Sequence, residues 1–191
     1  MSRHVFAAVP IPSDVKCIIG ELSGTLQENL PFKQWVHQED LHLTLAFLGK
    51  TEQDQLIHLK SLFHDHIQEL PSFSLTVTGA GFFGKKSQPR VFWLGVEEEE
   101  RLFALQKTVN RLCQQAGFQL ESRPYSPHIT LAKRWGHTDA RMDVVFDESM
   151  TKPAAGISFD VPSIVLYETH LDKDPKYHVI EEFCLKGEDS L

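Results

Sequence analysis

A five-residue pattern occurs twice in this chain and constrains its fold more than any other feature. His42-Leu43-Thr44-Leu45-Ala46 and His128-Ile129-Thr130-Leu131-Ala132 lie 86 residues apart, each inside an apolar, strand-like run. With ten His, ten Thr and twenty-two Leu in the chain, a His-apolar-Thr-Leu match arises by chance roughly 0.03 times, so two copies are a below roughly one-in-a-thousand event. Side chains alternate across a strand, so His and Thr two apart share a face, about 6 to 7 Å apart along the chain. The intervening Leu43, Leu45, Ile129 and Leu131 then point the other way, to a core, and Phe47 shares their parity. Two such strands facing across a pseudo-twofold axis would bring two imidazoles and two hydroxyls onto one small ligand.

The rest of the chain supplies elements to carry those strands. Val5 to Ile11 reads as a strand, followed by a helix capped by Ser13 with Val15, Ile18, Ile19, Leu22 and Leu26 in helical period. Lys33 to His37 is a short strand, and Leu41 to Leu48 a longer one closed by Gly49. Thr51 caps a second helix that ends before Pro71. Phe73 to Phe83 and Arg90 to Val96 pattern as strands joined by a turn over Gly84 to Pro89. A third helix fits Glu98 to Ala116, with Gly117 as its stop and the acidic run Glu97 to Glu100 at the positive end of its dipole. Pro127 opens the second motif strand, which runs to Ala132. Ile164 to His170 and Tyr177 to Leu185 form a last pair. The expectation is an α+β fold of mostly antiparallel strands, with all 191 residues in a single two-lobed domain.

Composition removes several function classes. No apolar run approaches the ~18 to 20 residues of a bilayer-spanning helix. The N-terminal segment has one cation and a short apolar run cut by Pro10, which reads as a first strand and not a secretory signal, so a cytoplasmic location is expected. A net charge of −7 argues against coating long nucleic acid but leaves room for a local basic patch. Cys17, Cys113 and Cys184 are too few and too far apart for a disulfide framework or a zinc knuckle, and each falls in an apolar stretch that suggests a buried free thiol.

Two His and two Thr without a carboxylate or thiolate ligand set suit phosphate ester chemistry with no metal and no cofactor. One neutral imidazole can take a proton from an attacking water while a protonated one donates to the leaving oxygen. Threonine hydroxyls can donate to non-bridging oxygens. A lone strand histidine is ordinarily a core residue satisfied by a carbonyl; the matched pair calls for a different account.

At these residues the sequence resembles the 2H phosphoesterases, and within them the 2′-5′ RNA ligase or RNA 2′,3′-cyclic phosphodiesterase branch. Leu41 to Gly49 is similar to that branch's first block, and Pro89 to Gly95 and Pro127 to Lys133 to its middle and second blocks. The resemblance implies a bilobal fold of duplicated antiparallel sheets, helices on the outer faces and a central cleft. It also implies metal-independent opening of a terminal 2′,3′-cyclic phosphate to a 2′-phosphate, on RNA 3′ ends or small nucleotides. Motif for motif, His42 would protonate the departing 3′ oxygen and His128 would activate water, although the near-identical motifs do not order the roles by themselves. Thr44 and Thr130 carry over as phosphate ligands. Phe47 matches an aromatic that stacks on the terminal base, in competition with the core position its strand parity gives it. Where the family commonly shows arginine, this chain has Lys133 followed by Arg134, which keeps the charge and loses the bidentate fork. Reversible 2′-5′ ligation would be the same chemistry with an RNA 5′-hydroxyl in place of water.

Two other readings belong to different classes: a non-catalytic binder of phosphorylated RNA ends or nucleotides, and a structural domain with a leftover motif. Secondary signals are fewer. His64-Asp65-His66 on a helix cannot share a metal, because i and i+2 point ~200° apart. His37 and His170 could edge the cleft, while His58, His137 and His178 lack sequence partners. Lys85, Lys86 and Arg90 form the densest basic spot, either a solvated turn or a lip for RNA phosphates, and Tyr125 and Trp135 flank the second motif. A monomer is expected.

Overall fold

The computed structural model describes residues 3–136 and 141–187. Nine strands form one curled antiparallel sheet, in the order β7-β4-β5-β6-β3-β1-β8-β9, with β2 added on β6. The strands are β1 (Arg3–Pro10), β2 (Phe32–Trp35), β3 (His42–Thr51), β4 (Phe73–Lys85), β5 (Gln88–Val96), β6 (His128–Trp135), β7 (Ser158–Val161), β8 (Ser163–Thr169) and β9 (Tyr177–Cys184). Three long helices, α1 (Ser13–Gln27), α2 (Gln53–His66) and α3 (Glu100–Gln115), and a single turn α4 (Met142–Val145) complete it.

The order is symmetric about its centre. The motif strands β3 and β6 are the innermost pair, and, β2 apart, each is flanked by three further strands on its own side. They meet antiparallel at one point, Leu43 opposite Ile129, the second residue of each motif. Both side chains are fully buried, worth about 1.5–3 kcal/mol each. Antiparallel pairing there carries each histidine toward the other motif's threonine. The two lobes are thus hydrogen-bonded edge to edge, and the C-terminal hairpin β8–β9 returns to β1 to finish the first lobe.

One hydrophobic cluster runs through both lobes, from Ile19 and Leu26 of α1 to Phe63 of α2, Leu105 and Val109 of α3, and Phe159 and Val161 of β7. Several element ends differ from expectation. Ser13 is the first helical residue and caps nothing; Pro12 precedes it without a side-chain bond. Glu52, not Thr51, caps α2, in a reciprocal box with Gln55. Glu99 caps α3 by accepting from the Arg101 N–H. β3 passes Gly49 to Thr51 because Gly49 takes φ 67° beside a bulge at Leu48, a conformation only glycine adopts without strain.

The cysteines are free, but only Cys113 is buried. Cys17 faces solvent because the buried stripe of α1 is Val15, Ile19, Leu22 and Leu26. Cys184 alternates with buried Phe183 and Leu185. Among the described residues, no helix is long and apolar enough to cross a membrane.

Candidate active site

The two motifs share a backbone irregularity that alternation alone does not reveal. Ala7 pairs with Ala46 and Ala8 with Thr44, so Leu45 is an extra residue in β3. Phe92 pairs with Ala132 and Trp93 with Thr130, so Leu131 is the matching extra residue in β6. A one-residue bulge flips the faces beyond it. Phe47 and Lys133, each five residues after its histidine, are thereby moved from the core parity onto the face of the histidines. Phe47 is 64% exposed and lines the cleft, which removes the core alternative for it. The Leu45 carbonyl accepts from Gln106 Nε2 at 3.5 Å and the Leu131 carbonyl from the Val36 N–H at 2.8 Å, while the Tyr125 hydroxyl donates to the Thr44 carbonyl at 3.1 Å.

Both imidazoles are held alike. His42 Nδ1 lies 2.7 Å from the Asp40 carbonyl, and His128 Nδ1 lies 2.7 Å from the Ser126 carbonyl. A carbonyl only accepts, so each Nδ1 carries a hydrogen and each Nε2 is left to exchange protons. His42 Nε2 sits 3.1 Å from the Thr44 hydroxyl, which donates to it in the neutral state. Aromatic rings pack around both: Phe6 at 4.8 Å and Tyr177 at 5.1 Å from His42, Phe83 at 5.0 Å and Trp93 at 6.0 Å from His128.

This setting dictates the electrostatics. Burial lowers the His42 pKa to about 4, outweighing the Asp40 carbonyl bond, with Lys133 pushing the same way. Burial also lowers His128, again assisted by Lys133 and opposed by the Ser126 carbonyl. Lys133 is itself lowered, by burial and by Lys176. Both histidines are therefore neutral near pH 7, with the Lys133 cation pushing both down and the Asp40 carboxylate only partly opposing it at His42.

Thr44, Thr130, His128, Lys133 and Phe47 line a cleft of about 540 Å³, which continues past Phe83 and Tyr125 to Gln106 and Asn110 of α3. His42 stands behind Thr44, against Phe6, Tyr167 and Tyr177. Five of the six residues singled out from the sequence thus line the cleft, and His42 reaches it through the Thr44 hydroxyl. Asp40 was not singled out. It is 4% exposed, and its carboxylate accepts the Lys176 and Tyr177 N–H groups at 2.9 Å each. It fixes the start of β9, and with it the Tyr177 ring, against His42. Asp40→Ala is expected to cost about 1.5–3 kcal/mol in urea melts, since two backbone donors lose a charged acceptor, and to lower kcat by loosening the His42 carbonyl anchor.

The other histidines do not join the site. His37 caps a 3-10 turn by accepting from the Glu39 N–H, and His170 pairs with Glu168 and packs at a tilt against His178. His64 meets Glu181, and His66 Nδ1 bonds the Leu62 carbonyl. His58 contributes nothing to the cleft lining, and His137 lies outside the described residues. Trp135 packs edge-on against Phe32. Among the described residues, no cluster of three or more His, Cys, Asp or Glu is arranged for a metal.

Fold, bulged motif strands and twin Nε2 atoms together outline a duplicated two-histidine arrangement, and the chain as a whole is similar to known proteins. The family model of the 2′-5′ RNA ligase superfamily matches residues 12–173. An RNA 2′,3′-cyclic phosphodiesterase of Geobacillus stearothermophilus is 41% identical over 185 residues, 96% of this chain; the chain spans 58% of that relative's length. The RNA 2′,3′-cyclic phosphodiesterase of Bacillus subtilis is 32% identical over 95% of this chain and 96% of its own. Escherichia coli LigT complexed with 3′-AMP superposes with a TM-score of 0.79 at 25% identity, covering 97% of this chain and 99% of its own. The chain belongs to the 2′-5′ RNA ligase superfamily.

Proposed function

We propose that this chain is an RNA 2′,3′-cyclic phosphodiesterase that opens a terminal 2′,3′-cyclic phosphate to a 2′-phosphate by acid–base catalysis between His42 and His128, the whole chain acting as one two-lobed unit around the cleft. The observation that carries the reading is the twin hold on Nδ1, which leaves two Nε2 atoms for proton transfer on one face. The names of the Geobacillus and Bacillus relatives support the substrate class, and the LigT complex supports a nucleotide monophosphate as occupant of such a cleft. His128 takes a proton from water as it attacks phosphorus, and His42 gives one to the departing 3′ oxygen. Thr44 and Thr130 donate to the non-bridging oxygens, Lys133 balances their charge, and Phe47 stacks on the terminal base. Ligation through an RNA 5′-hydroxyl is the reverse of the same proton transfers.

The test is incubation of a short RNA ending in a 2′,3′-cyclic phosphate, with EDTA present. Turnover to a 2′-phosphate is the expected result. Loss of turnover on chelation would overturn the two-imidazole mechanism, and binding without turnover would favour a module that only holds phosphorylated ends. Lys133→Gln should raise KM about tenfold, as expected for losing a charge-assisted phosphate contact. Lys133 depresses both histidines, so its removal should also move the pH–rate profile to higher pH. An unchanged profile would mean that Lys133 does not face the pair.

A further inference from the structure

We propose that the strand ends leading out of the cleft form a track for the single-stranded RNA backbone on the 5′ side of the cyclic phosphate, so that the site is built for RNA ends over free nucleotides. The proposal rests on the phosphodiesterase reading above and adds what holds the rest of the substrate.

The argument starts from register. Phe83 of β4 pairs with Val91 of β5, Val91 with Lys133 of β6, and Lys133 with Gln34 of β2. Phe83, Val91 and Lys133 all line the cleft. Following each strand outward from this row gives a cation every time. Lys85 lies two residues beyond Phe83, Arg90 next to Val91, and Arg134 next to Lys133. In β2, Lys33 falls between the residues paired with Trp135 and Lys133, beside Arg134. Lys86 follows Lys85 at the hairpin tip. All five are exposed. Four neighbouring strands span roughly 14 Å at their usual spacing, enough to follow a short stretch of backbone.

Charge and backbone support the same reading. The chain carries 26 acidic side chains against 19 Lys and Arg, yet none of these five forms an ion pair among the described residues. Arg134 takes φ 63°, a left-handed conformation that costs a non-glycine residue about 1–2 kcal/mol. The alternation therefore breaks after Lys133, and both cations in succession are exposed. Such strain persists where the surroundings impose it, commonly at binding sites. Cations of this kind contact phosphates, which positions a backbone and reads no sequence.

The test compares kcat/KM on a six-nucleotide RNA ending in a 2′,3′-cyclic phosphate with kcat/KM on a nucleoside 2′,3′-cyclic monophosphate. The variant is Arg90→Gln/Arg134→Gln. Lys152→Gln/Lys186→Gln serves as the control of equal charge change, placed toward the start of β4, where the Glu148–Thr151 turn packs and Lys186 bridges Pro71. The track predicts a loss of about tenfold on the RNA for the first variant, and a log–log salt dependence shallower by about 1.4, the value for two single-strand phosphate contacts. The mononucleotide should be hydrolysed as by wild type, and the control should match wild type on both. Unchanged RNA turnover, or an equal loss on both substrates, or the same loss in the control, would overturn the track. A wild type inactive on both substrates would overturn the phosphodiesterase reading and the track with it. Activity on both with an insensitive variant would remove the track alone.

Discussion

His42→Ala and His128→Ala are each expected to lower kcat on a cyclic-phosphate RNA by about 10²- to 10⁴-fold, the range over which a positioned acid or base contributes. Among the described residues, none of the other histidines lines the cleft. Each Nδ1 is committed to a carbonyl at 2.7 Å, so under the proposed mechanism each Nε2 is the atom that would transfer a proton. Because proton removal and proton donation belong to one displacement, the double variant should be little worse than the poorer single one. Steady-state kinetics with 3′-end analysis would check this. Equal rates in wild type and both variants would place the chemistry elsewhere. A loss confined to KM would make the rings binding groups. Melts at pH 7 should keep both variants folded, because removing a partly exposed imidazole from an aromatic nest opens space toward the cleft.

The motif strands, their two-per-face spacing and the α+β character were legible because each rests on local pattern: alternation for β3 and β6, helical period for α1 to α3. The bulges were not read, although their trace is visible. Leu45-Ala46 and Leu131-Ala132 are adjacent apolar pairs, which strict alternation forbids, and both members of each pair are buried. Read that way, Phe47 and Lys133 change sides together. Register between distant strands was out of reach. Nothing near His42 announces that Lys176 and Tyr177, over 130 residues later, will pin Asp40, because that contact depends on β8–β9 returning to β1. The four-residue strand β7 and the single-turn α4 were missed for another reason. Segments so short carry fewer than three periodic positions, and tertiary pairing with β4, from Phe73 to Thr76, is what makes Ser158–Val161 extended.

His42 should also make the protein sensitive to mild acid. Its pKa is about 4 in the fold against 6.5 in the open chain, so between those values the unfolded state binds the extra proton and stability rises with pH. The contribution is fully present above about pH 6.5 and is lost as pH falls toward 4, amounting to roughly 3 kcal/mol at 1.36 kcal/mol per unit. His128 acts in the same direction. Urea melts at pH 7 and 4.5 should show a larger loss for wild type than for His42→Gln, and identical losses would mean that His42 is not held neutral by burial. The same shift bears on catalysis. At pH 7 only about one His42 in 10³ is protonated in the free protein, so the proton needed by the leaving oxygen must be taken up as the anionic substrate enters and raises the pKa. Binding of a nucleoside 2′-phosphate should accordingly tighten from pH 7 to 5 with net proton uptake, measurable by calorimetry in two buffers of different ionisation enthalpy. It should also offset part of the acid destabilisation, since the ligand adds negative charge beside the imidazoles. Binding without proton uptake would show that the imidazoles keep their free-state protonation in the complex, and the acid would then have to be sought in another group.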